Sequence, residues 1–154
     1  MDAHPELALL APVPSVFLEP DQGPEVCRRR GKVAFGSRNW ELFRRLDSLR
    51  EGLPVHTYIY ASQADVHGVF VSWHALYVGH VEGVNGAHPD RKKFRPPFVS
   101  EDGEDRDAYW AVFWEVAQLE PIEPLPIASL RGWGAKKDYG KPFVPEGPLI
   151  IERP

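Results

Sequence analysis

A single cysteine, Cys27, occurs in the chain. It has no partner for an internal disulfide and cannot supply a thiolate zinc site, and this usage fits a reducing compartment, so a cytoplasmic location is the expectation. No apolar run approaches the roughly 20 residues that a membrane-crossing helix needs. Met1-Asp2-Ala3-His4 lacks the cationic start of a secretory leader, and Leu7 to Ala11 is a short apolar stretch to stand behind one. A membrane is therefore not an expected partner. Positive charge is not in excess either: 18 Lys and Arg against 22 Asp and Glu leave a net charge of −4. That argues against indiscriminate coating of nucleic acid, which phosphate neutralisation drives.

The motifs of common chemistries are missing too. No HExxH, GxGxxG, Walker or GxSxG pattern occurs. His67, His74 and His80 lie near one another, and an even separation puts His74 and His80 on one strand face. Six residues of strand nevertheless span about 20 Å, too far for one ion. No metal, cofactor or catalytic residue is expected. Cys27, among arginines in a proline-rich region, reads as inert.

What is present is proline, aromatic residues and segregated charge. The 16 prolines favour strands and turns over long helices. Five Trp, five Tyr and eight Phe can build a core and also line a pocket. Arg28, Arg29, Arg30, Lys32, Arg38, Arg44, Arg45 and Arg50 fall close together, and Arg91, Lys92, Lys93 and Arg95 form a second basic cluster. Acids gather in Glu101-Asp102-Gly103-Glu104-Asp105. Such separation describes either solvated faces or a local basic footprint.

Residues 1–27, with Pro5, Pro12, Pro14, Pro20 and Pro24, read as an extended arm laid partly on the body through Val16, Phe17 and Leu18. Residues 28–154 read as one domain. Gly31 to Ser37 is a strand. Asn39 to Glu51 is the main helix, with Leu42, Phe43, Leu46 and Leu49 at helical spacing and a stop at Gly52 and Pro54. Val55 to Ser62 and Val69 to Val81 are strands, the second bent at Gly79. Residues 83–107 form a long loop. Ala108 to Leu119 is a strand, Ile127 to Leu130 a short helical turn or strand, and Pro148 to Glu152 a closing strand. The fold class is mainly β with α (α+β): a small, mostly antiparallel barrel with one main helix after its first strand.

Two places invite a ligand. In GKVAFGSRNWELFRRL, the strand stops at Gly36-Ser37 and the helix opens with Arg38, Asn39 and Trp40. That junction offers free N–H groups and the positive end of a helix dipole; it suits a polar or anionic contact and equally an ordinary cap. In VHTYIYAS, alternation puts His56, Tyr58, Tyr60 and Ser62 on one face and Val55, Thr57, Ile59 and Ala61 on the core face. Val71, Trp73, Ala75 and Tyr77 share a face of the next strand. Stacking aromatics, amide or hydroxyl groups and a basic rim are what recognition of an unpaired base requires. Barrel filling explains any one of these aromatics as well.

The order of these elements resembles the EVE domain of the PUA-like superfamily, to which YTH domains also belong. Arg38-Asn39 looks like the family's Arg-Asn turn, Tyr60-Ala61-Ser62 like its strand end, and Val78-Gly79-His80-Val81-Glu82 like its glycine-bearing strand. His88-Pro89-Asp90 is similar to the turn that follows, and Ala108 to Leu119 with Pro124 and Leu125 to Leu130 to the next strand and its continuation. The likeness spans about Lys32 to Leu130. Phe35 stands where the family often carries tryptophan, and Trp133 to Pro154 matches none of its motifs.

The resemblance implies a PUA-like pseudo-barrel with a base-sized pocket that binds a modified base in DNA or RNA. It places Arg38 and Asn39, with Ser37 beside them, at the mouth, and Tyr60 and Ser62 along the wall. The residues themselves add Trp40 and Trp73 as stacking candidates, and Arg91, Lys92, Lys93 and Arg95 as phosphate contacts. The expected function is a non-catalytic nucleic-acid-binding module rather than an enzyme, with a partner protein needed for any effector activity. Two rival readings stand beside it. One is a protein-interaction module of the same fold, with an apolar patch around Phe94 and Phe98. The other is a small enzyme acting on a nucleotide-like substrate through His56 or His74.

Overall fold

The structure, a computed structural model, describes residues 2–62, 70–99 and 109–154. His67 and the acidic run Glu101 to Asp105 lie outside the described residues. The chain is mixed α/β and mostly strand. Its elements are β1 (Leu7–Pro14), α1 (Gly23–Arg30), β2 (Val33–Ser37), α2 (Trp40–Leu49), β3 (Val55–Ser62), β4 (Phe70–Glu82), β5 (Val112–Pro126) and β6 (Leu149–Glu152). Single 3₁₀ turns sit at Ser15–Leu18 and Ile127–Ser129. All six strands join one sheet in the order β2-β5-β4-β3-β1-β6. Neighbours are antiparallel except β1 and β3, which run parallel. Among the described residues no ladder joins β2 to β6, so the sheet is open.

Both faces of the sheet are covered. One carries the two helices. α2 buries Phe43 and Leu46 there, and the Phe43 ring lies nearly parallel to Trp114 (centroids 5.9 Å apart, 14°) and 5.9 Å from Tyr77. Burying one such phenyl ring contributes about 1.5–3 kcal/mol. α1 adds Val26 and Cys27 to the same core, and the Cys27 thiol sits 3.8 Å from the Val116 carbonyl. The opposite face packs Ala8, Leu10, Tyr60, Val71 and Ile151 beneath Ile127, Leu130, Tyr139 and Phe143 of the C-terminal stretch.

The N-terminal stretch is not an arm. β1 lies inside the sheet between β3 and β6, with Leu7 through Ala11 buried. Its prolines are accommodated because β6 pairs only with Leu7 to Leu10. From Ala11 onward one side of β1 is a free edge, where a missing N–H breaks no ladder. Residues 23–30 likewise form a helix rather than extended chain. Pro24 stands in its first turn, Glu25 at the positive end of the dipole, Arg28, Arg29 and Arg30 at the negative end, and Gly31 closes it at φ 85°.

β4 does not keep a single alternation of side chains along its length. Three register shifts interrupt its pairing with β5, between Val71 and Trp73, His74 and Leu76, and Tyr77 and Gly79. Each shift resets the alternation of side chains. Val71 therefore joins the core under the C-terminal stretch while Ala75 and Tyr77 face the helices. His74 and His80 do not share a face. His74 contacts His56 and Tyr58, whereas His80 sits with Phe43 and Tyr77 and meets Asp47 of α2 at 2.7 Å.

Candidate binding site

Strand ends that the register sets at opposite ends of the sheet come together around one space. β2 stops at Ser37, β3 at Ser62 and β1 at Pro14, while β5 begins at Val112 and the chain enters β6 through Glu146, Gly147 and Pro148. Between them lies a cavity of about 260 Å³, lined by Pro12, Pro14, Gly36, Ser37, Arg38, Asn39, Ser62, Trp110, Trp114 and residues 146–148. β2 and β6 are the two edges of the sheet, yet residues beside both line this space. The sheet curls until its edges face one another across the cavity. A methyl placed on Gly147 would touch Asn39 Nδ2 at 3.6 Å.

Asn39 occupies the N-cap position of α2, but its side chain makes no capping hydrogen bond. The Ser37 hydroxyl accepts the Asn39 backbone N–H at 3.0 Å and lies 3.4 Å from Nδ2. This leaves the Asn39 amide oxygen free of hydrogen bonds among the described residues, on a residue that lines the cavity. Arg38 lays its guanidinium over the Trp110 ring, 4.9 Å from the centroid. Trp110 in turn lies flat on Gly36: a Cβ there would come within 2.4 Å of the indole. Only glycine lets that indole press against the β2 backbone and form the wall. Trp114, buried and stacked on Phe43, supplies the apolar floor. Glu146 adds a carboxylate at the rim. The cavity thus joins indole surface to an amide, a guanidinium, two hydroxyls and a carboxylate.

Four of the predicted residues, Ser37, Arg38, Asn39 and Ser62, line this one space. Three do not. Tyr60 is buried on the other face, where its hydroxyl donates to the Gly147 carbonyl at 3.4 Å and so props the cavity wall from behind; burial pushes that hydroxyl up to about 12. Trp73 packs against the core on the helix-bearing face. Trp40 is 43% exposed on the outside of α2. Trp110, Trp114 and Glu146 were not assigned from sequence. The two indoles are visible as the aromatic run YWAVFWEV, but which of them faces a ligand depends on Gly36 and on the sheet's curl.

The second basic cluster divides. Arg91, Lys92 and Lys93 are exposed on a turn, Lys93 over the Phe94 ring at 5.1 Å. Arg95 cannot serve as a phosphate contact in this fold. It is 1% exposed, donates to the Ala34 carbonyl and lies 4.9 Å from the Phe113 ring centroid. The turn covers the free edge of β2, since the Ala34 N–H donates to the Phe94 carbonyl at 2.7 Å. A buried network fixes it from below. His88 Nδ1 accepts the Asp90 N–H, so Nε2 carries the proton and donates to Glu115 at 3.1 Å, while Lys32 donates to the other carboxylate oxygen at 3.1 Å. Burial raises the Glu115 pKa, but these two partners outweigh it and hold the carboxyl below its usual range.

His56 Nδ1 and His74 Nε2 lie 2.8 Å apart with ring centroids 5.0 Å apart. That spacing points the two nitrogens at each other, as in a hydrogen bond, rather than at a shared ligand. Burial lowers both pKa values, with Arg153 adding to the effect and Glu120 opposing it at His74. Among the described residues no group of three or more His, Cys, Asp or Glu could hold a metal ion, and no helix is long and apolar enough to cross a membrane. No protein-family model, curated protein or solved structure matches the chain.

Proposed function

We propose that this protein is a non-catalytic nucleic-acid-binding module that holds one nucleobase, modified in its natural target, in the cavity between β2 and the entry to β6. On this reading the curled sheet is a PUA-like pseudo-barrel left open at the ligand site. The observation that carries the proposal is the convergence of Ser37, Arg38, Asn39 and Ser62 with two indoles on one space. At about 260 Å³, that space falls just below the roughly 300 Å³ at which drug-sized pockets begin and suits one heterocycle. The Asn39 amide presents a donor and an acceptor to a base edge. Trp110 and Trp114 line the cavity as apolar indole walls, and one stacked base contributes about 1–3 kcal/mol.

The interaction-module reading loses ground on its own patch. Phe94 lies beneath the Lys32 and Lys93 ammonium groups, leaving Phe98 as the exposed ring, at 67%.

The test is a thermal-shift screen against modified nucleosides. A nucleoside at 100 times its dissociation constant stabilises by about 2.7 kcal/mol, which moves the midpoint of a domain this size by roughly 5–11 °C. The proposal expects a hit confined to one base class and reduced in Asn39→Ala. A hit that Asn39→Ala retains in full would sink it.

A further inference from the structure

The indole of Trp40 stands partly exposed at the start of α2. α2 buries Phe43 and Leu46, with Leu42 and Leu49 packed at the margin of the core. Trp40 belongs to neither core cluster and stays 43% exposed, on the residue next to Asn39. Arg44, one turn on, covers one side of the ring with its guanidinium 4.9 Å from the centroid. Arg38, Arg44 and Arg45 have no carboxylate partner among the described residues, whereas Arg50 is neutralised by Asp47 at 2.7 Å. The outer surface of α2 therefore carries a partly exposed indole and the guanidinium groups of Arg44 and Arg45, against the carboxylate of Glu41, with Arg38 and Glu146 of opposite charge at the cavity beside it.

We infer that Trp40 and Arg44 form a second contact, outside the cavity, for the nucleotide adjoining the one held within, so that the ligand is a nucleic-acid strand rather than a free nucleoside. The inference rests on the cavity reading for its geometry. A strand with one base in the cavity must leave through its mouth, because neighbouring nucleotides are covalently tied, and Trp40 stands on the residue next to Asn39 of the lining. An indole backed by a guanidinium stacks any base regardless of identity, and Arg44 and Arg45 match the negative charge of the sugar–phosphate chain. A second protein would not need such charge, and the complementarity favours the strand.

The experiment uses fluorescein-labelled nine-nucleotide DNA and RNA strands of mixed sequence with one central abasic site. With the central base absent and no modified base in the strand, anisotropy reads the outside contact. The parent protein should bind at least one of the two strands. Trp40→Ala should weaken that binding roughly 5- to 150-fold, and Trp40→Phe should retain most of it. Arg44→Ala should reduce the slope of log affinity against log salt by about 0.7. Failure of the parent to bind either strand overturns the inference, as does Trp40→Ala binding like the parent. So does sedimentation showing that Trp40→Ala converts a dimer to a monomer, because a second copy then owns this face. The cavity reading is judged separately: a nucleoside hit reduced in Asn39→Ala sustains it even if the strands fail, and strands that bind where no nucleoside does leave the outside contact standing without it.

Discussion

The wall of the cavity depends on one missing methyl group. Gly36 pairs with Phe113 in the β2–β5 ladder, and an alanine Cβ there would sit 2.4 Å from Trp110 Cγ and Cδ1. That is far inside van der Waals contact, so Gly36→Ala must push the indole off the strand. Overpacking of this kind costs about 1–3 kcal/mol, or roughly 2–12 °C in melting midpoint for a domain of this size. The partner can be identified by a double-mutant cycle. In a Trp110→Ala background the methyl enters vacated space. Gly36→Ala should then become neutral or stabilising by about 0.4–1 kcal/mol through the stiffer unfolded chain. The expected coupling is about 1–4 kcal/mol, above the additivity of independent sites. Thermal melts of the four proteins measure it. Equal losses from Gly36→Ala with and without the indole would refute the account of the wall.

Other outcomes follow from buried groups. Arg95→Ala should lose about 1.5–3 kcal/mol with its charge-assisted bond to Ala34, whereas Arg91→Ala and Lys92→Ala should stay within about 0.5 kcal/mol; denaturant titrations separate them. The Glu115 carboxyl is depressed below 4.5, so its contribution to stability is complete above that pH and fades as pH falls through the folded value. Glu115→Gln should therefore flatten stability against pH below about 4.5, and urea midpoints parallel to the parent's from pH 5 to 3 would count against the network. His56 and His74 are both depressed from 6.5. The unfolded chain then takes the proton first, and stability falls as pH drops below about 6.5. Replacing both with glutamine should remove that fall, as melts between pH 7 and 5.5 would show.

Much of the fold is legible in the sequence where one force dominates. The β-branched and aromatic alternation of VHTYIYAS gives β3 at the expected residues, and the stripe through Phe43 and Leu46 gives α2. Proline was misleading where pairing is one-sided. Pro12 and Pro14 sit on β1 beyond the reach of β6, and Pro121, Pro124 and Pro126 sit on β5 beyond Val116, where β2 stops pairing. A strand with one free edge tolerates what a doubly paired one does not, and sequence does not reveal which edge is free. The facing of β4 was hidden for a related reason, since its bulges are set by the partner strand. α1 was readable in principle from Pro24, Glu25, the three arginines and Gly31, a sequence of start and stop signals obscured by the prolines before it. For the site, the Ser37-Arg38-Asn39 turn and Ser62 come from local pattern. Trp110, Trp114 and Glu146 come from the curl of the sheet, which is a property of the whole chain.

The central claim is that the recognised base occupies this cavity. The most direct measurement is calorimetric titration of the nucleoside that stabilises the parent, repeated with Asn39→Ala and Trp73→Ala. Asn39 lines the cavity and Trp73 does not. The account predicts that Asn39→Ala weakens binding about 5- to 150-fold, the value of one edge contact, while Trp73→Ala leaves affinity within a few-fold. An affinity insensitive to Asn39, or one abolished in a folded Trp73→Ala protein, would contradict it.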